Sequence, residues 1–136
     1  MINHNDVIRA RFPFPSIKSG LAKKAHMYIV QDHHYDFLKV QTFKPTMVAK
    51  YGVKNMVIEE ADISRNPFQA TSLIDLDKLF ILRLVELADS MKTTVRPNIS
   101  VDLANKIHDK LTTPKTIKID AKEFVSLNHA ASLVEF

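Results

Sequence analysis

The side chains with chemical reach in this sequence are cations and imidazoles, and the cations crowd toward one end. Residues 1–54 carry Arg9, Arg11, Lys18, Lys23, Lys24, Lys39, Lys44, Lys50 and Lys54 against Asp6, Asp32 and Asp36, a net +6. Residues 55–136 carry ten basic and twelve acidic side chains, a net −2, so the chain of 136 residues stands at +4. A one-sided basic excess suits an anionic partner, nucleic acid first. The plainer alternative is a lysine-rich solvated surface. Phe43 and Tyr51 lie among Lys44 and Lys50. Cations for phosphates and rings for bases are what a single-stranded groove needs. His26 adds an imidazole, which shuttles protons near neutral pH. Thr42 adds a hydroxyl at the end of an apolar run, although threonine also suits strands for steric reasons alone.

Other chemistries are excluded or weakly supported. With no Cys, thiolate metal sites, Cys nucleophiles and disulfides are out. Two Gly in the whole chain leave no glycine-rich phosphate cradle. His33 and His34 are adjacent, so an extended backbone points them to opposite faces, which disfavours a shared metal. His4, His108 and His129 are isolated and read as surface or capping residues. Asp75 and Asp77 read as turn-forming carboxylates rather than an acid–base pair. No apolar run nears the about 20 residues that span a bilayer, and MINHNDVIR has no signal core. No cofactor, no metal and no membrane partner are expected, with a cytoplasmic address.

The elements that must position these residues follow from periodicity. Val7–Phe12 reads as a strand with Arg9 and Arg11 on one face, closed by Pro13 and Pro15. Ser16–Lys24 reads as a polar loop. Met27–Val30 and Tyr35–Thr42 form a hairpin, followed by a second basic loop from Lys44 to Lys54. Met56–Ile58 and Phe80–Leu82 complete about five short strands in the first 85 residues, a spacing that fits a small barrel or sandwich. Beyond Pro97 the pattern turns helical. Ile99, Leu103, Ile107 and Leu111 make one stripe, capped by Ser100 or Asn98 and ended by Pro114. A second helix after Asp120 buries Ala121, Phe124, Val125, Leu127 and Ala131. The expected architecture is one α+β, mainly β domain over 1–136: a barrel part over 1–97 and a helical part over 98–136.

The linear order of features carries a resemblance. DVIRARFPF (Asp6–Phe14) comes first, then a Lys-bearing loop, then KKAHMYIV (Lys23–Val30), a strand ending VQT (Val40–Thr42), and NPFQATSLIDLDKLFIL (Asn66–Leu82). This order, over about residues 5–111, resembles the MazF/PemK/Kid family of toxin endoribonucleases. The resemblance implies an SH3-like barrel of about five strands with C-terminal helices, usually a homodimer. It implies metal-independent cleavage of single-stranded RNA by attack of the 2′-hydroxyl on the adjacent phosphate, and an antitoxin protein that covers the groove. The family places an Arg-Pro pair before the second strand. Here Ala25 and His26 stand there, or Lys24 and Ala25 if the register slips by one, and Asn5 replaces the Gly before Asp6.

The attack builds negative charge on phosphorus, so a fixed cation must face it. One proton must leave the 2′-hydroxyl and another must reach the departing oxygen. On the resemblance, Lys24, His26 and Thr42 take the reacting phosphate, and Arg9, Arg11, Lys18, Lys23, Phe43 and Lys44 hold the strand. The rival expectation is a non-catalytic SH3-like module binding nucleic acid or a protein. A third assigns Thr113–Phe136, which lies past the family's end, to assembly through Phe124, Leu127, Leu133 and Phe136.

Overall fold

The computed structural model describes residues 1–32 and 35–134. The His33–His34 pair and Phe136 lie outside the described residues, and so does the Tyr51 side chain. Strand β1 (Val7–Ala10) pairs antiparallel with β2 (His26–Asp32), which pairs with β3 (Asp36–Thr42). β3 is shared along its length. Its C-terminal end pairs with β5 (Ser72–Asp75), which carries β4 (Met56–Glu59) beyond it. Its N-terminal end pairs with β6 (Lys78–Ile81), which pairs in parallel with β8 (Lys115–Lys118). A separate antiparallel pair joins β7 (Val85–Leu87) to β9 (Ala131–Leu133). The architecture is therefore α+β and mainly β.

Alternation along the strands makes two cores. Ile8, Tyr28, Val30, Phe37 and Phe80 enter one cluster, and Val7, Ile29, Leu38, Val40 and Ile74 the other. Both faces of the central strands are therefore covered. Helix α3 (Val101–Lys110) covers the second cluster through Leu103 and Ile107, and Ser100 caps it by accepting from the Leu103 N–H at 3.2 Å. Helix α4 (Ala121–Leu127) covers the first cluster through Phe124, which is fully buried against Phe12.

Several expectations need correction. The loop before Lys24 contains helix α1 (Gly20–Lys23), and the basic loop after Thr42 contains α2 (Pro45–Tyr51), ended by Gly52 at φ 63°. Among the described residues, seven strands rather than five precede residue 88. β5 was hidden because all four of its residues are buried, so SLID shows no alternation. The fifth expected strand, Phe80–Leu82, is the end of β6, which stops at Ile81; the chain turns at Leu84, whose φ is 63°, before β7. The helical part contains β8 and β9, and Ala131 packs from β9 rather than from the helix. Leu133 is exposed.

Candidate functional site

Three neighbouring strands each bring one reactive group to a single cleft of about 170 Å3. Arg9 comes from β1, His26 from the start of β2 and Thr42 from the end of β3. Their meeting is a matter of register. Arg9 stands opposite Met27, Met27 opposite Val40, and Thr42 lies two residues farther along β3, opposite Ser72. Arg9 and Thr42 are exposed and His26 is half-buried. Among the described residues, the Arg9 guanidinium makes no hydrogen bond and no ion pair.

The far wall is the β4–β5 connection, which contributes Phe68, Gln69 and Ala70. A buried polar knot fixes it. Asn66 is fully buried and donates to Glu59 Oε2 at 3.1 Å and to the Glu60 carbonyl at 3.0 Å, while its own Oδ1 accepts from the Phe68 N–H at 3.0 Å. Arg65 Nε donates to the same Glu59 carboxylate at 2.7 Å, and that hydrogen bond holds the guanidinium's pKa above its usual value. Asp75 and Asp77 serve turns as expected. Asp75 accepts from the Asp77 N–H, and Asp77 accepts from the Lys54 and Asn55 N–H groups.

His26 also lines a second, larger cleft of about 630 Å3, together with Phe14, Lys24, Lys39, Lys78 and Phe80. Its Nδ1 lies 2.9 Å from the Lys24 carbonyl. A carbonyl only accepts, so Nδ1 carries the hydrogen and Nε2 is the nitrogen left for proton transfer. Lys24 itself is exposed and caps the C-terminus of α1. Lys39 is the cation that strand alternation did not single out. Burial lowers its pKa; Asp75 pulls it back up and Lys78 pushes it down. Lys78 is 3.5 Å from Asp75.

The chain matches no family model, no curated protein and no solved structure.

The remaining expected contacts line neither cleft. Arg11 is exposed just past β1, and its backbone N–H donates to Asn128 Oδ1 at 2.9 Å. Lys18 and Lys23 are exposed on the β1–β2 connection, and Lys44 is exposed ahead of α2. Phe43 is half-buried, its N–H donating to the Thr71 carbonyl at 2.9 Å. Arg9, expected only to hold the strand, instead shares a cleft with His26 and Thr42. The signal for it was already present: β-alternation sets Arg9 on the face opposite Ile8 and Ala10.

Proposed function

We propose that this chain is a metal-independent endoribonuclease of the MazF/PemK type, built on an SH3-like barrel and acting on single-stranded RNA. The observation that carries this reading is the convergence of Arg9, His26 and Thr42 on one cleft. Arg9 supplies the fixed cation that the Arg-Pro departure had removed from the sequence motif. In the proposed reaction, His26 Nε2 takes the proton of the 2′-hydroxyl, and that oxygen forms a bond to phosphorus. Arg9 neutralises the charge growing on the non-bridging oxygens, and the Thr42 hydroxyl donates to one of them. The bond to the 5′-oxygen breaks, and that oxygen leaves with a proton from solvent. The products are a cyclic phosphate and a 5′-hydroxyl. Lys24, Lys39 and Lys78 hold a flanking phosphate in the second cleft, where Phe14 offers a ring to a base. The reading includes a cytoplasmic homodimer and an antitoxin protein that covers both clefts.

The test is incubation of the purified protein with mixed-sequence single-stranded RNA in EDTA, with mapping of the ends. Defined cuts with cyclic-phosphate ends are expected, and Arg9→Ala lowers their rate by about a hundredfold to a thousandfold. Salt-sensitive binding without cutting moves the assignment to the non-catalytic module, which the missing Arg-Pro pair favours. Neither binding nor cutting overturns the RNA reading and leaves the module that binds a protein partner.

A further inference from the structure

Arg9 lines a third cleft, of about 310 Å3, on the side away from β2. Its other walls are residues 90–94 and residues 128–130, the second of these from the C-terminal segment beyond the resemblance. Both walls are tied to β1. The Thr93 N–H donates to the Val7 carbonyl at 3.0 Å, and Lys92 bridges to Ile8. On the other side Asn128, nearly buried, uses its side-chain amide as a strand would. Its Oδ1 accepts from the Arg11 N–H at 2.9 Å, and its Nδ2 donates to the Arg11 carbonyl at 2.7 Å and the Phe124 carbonyl at 2.8 Å. The next residue, His129, is exposed and lines the cleft with Arg9, Lys92 and Thr94.

The lining has the chemistry of an anion site. It contains no carboxylate. The Lys92 charge is partly offset by Asp6, 3.4 Å away, which leaves Arg9 and His129 as the principal donors. No Phe, Tyr or Trp lines the cleft, in contrast to the Lys24 cleft with Phe14 and Phe80. A phosphate and its sugar fit such walls better than a stacked base.

We infer that the C-terminal segment builds a further phosphate subsite, in which His129 and Arg9 hold the backbone of the RNA strand leaving the central cleft. This rests on the RNA reading above. Arg9 is the hinge between the two sites, and His129 is a binding residue that takes no part in the chemistry.

The probes are 2′-O-methyl oligoribonucleotides of three and eight residues, which lack the attacking hydroxyl and so report binding alone. Wild type is expected to bind the longer one more tightly. His129→Ala is expected to weaken the longer one by about tenfold to a hundredfold, the worth of one hydrogen bond to a charged group, and to leave the shorter one unchanged. His129→Arg restores the affinity and steepens its dependence on salt by about 0.7 in the log–log slope. An unchanged His129→Ala affinity for the longer probe, or equal losses on both probes with an unaltered melting temperature, overturns the subsite while leaving the RNA reading intact. Binding of neither probe by wild type removes the RNA reading, and the subsite with it.

Discussion

Arg9 and Lys39 sit two strands apart and answer to different forces. Arg9 is exposed, pays no desolvation cost and is free to meet a phosphate. Its replacement by Ala is expected to lower RNA cleavage by about a hundredfold to a thousandfold, the usual size of one lost charge-stabilising group. Arg9→Lys is expected to recover only part, because an ammonium cannot present two parallel donors. Single-turnover cleavage of a defined RNA checks both. Lys39 stands opposite Tyr28 and lines the second cleft with Phe14 and Phe80, and burial depresses its pKa. The sign is fixed by linkage. The unfolded chain binds this proton more tightly than the folded one, so the cost of the buried charge is present in full below the lowered pKa. It is relieved as pH rises through that value toward the ordinary lysine range. Lys39→Met is therefore expected to raise the melting temperature at pH 7 while weakening RNA binding. A lower melting temperature for the variant would show that Lys39 serves the core rather than the ligand.

Helix α3 belongs to the part of the fold that periodicity exposes. Its stripe is four residues apart, its cap is a serine, and its buried residues Leu103 and Ile107 are the ones the stripe names. Leu103→Ala is expected to cost about 2–5 kcal/mol by leaving a cavity in the second cluster, and Ser100→Ala about 1 kcal/mol by orphaning the Leu103 N–H. Urea unfolding separates the two. Other elements were hidden for physical reasons. β5 is buried on both faces and loses the alternation that marks a strand. β8 is short, mostly exposed and paired in parallel with β6 across an intervening helix, a contact no local pattern encodes. α1 and α2 are too short for a periodic signal and begin beside Gly and Pro, which read as loop residues. The candidate site was half legible. His26 and Thr42 lie at the ends of visible strands, but their meeting with Arg9 depends on register, which only pairing decides.

The molecule as a whole closes around β1, and Asn128 shows how. The strand's continuation at Arg11 would leave an N–H and a carbonyl unpaired, and the amide of Asn128 satisfies both from the far end of the chain. That one residue joins the basic N-terminal half to the segment that lies past the family resemblance, and it sets His129 beside Arg9. Asn128→Ala is expected to destabilise the protein by about 1–3 kcal/mol, because three partners lose their bonds while buried or half-buried. Asn128→Asp is the sharper probe. It keeps the acceptor for the Arg11 N–H but turns the donor that faced two carbonyls into a second acceptor. Repulsion from the Arg11 and Phe124 carbonyls raises the introduced carboxyl's pKa in the folded state, so folding favours its protonated form. The penalty is absent below the ordinary aspartate range near about 3.9. It grows as pH rises and is complete above the raised value. At pH 7 Asn128→Asp is therefore expected to be less stable than Asn128→Ala, with the order reversing on acidification as the protonated carboxyl regains one donor. Urea unfolding of both variants across pH 4–7 measures this, and parallel curves for the two would mean that the amide is not what ties the C-terminal segment to β1.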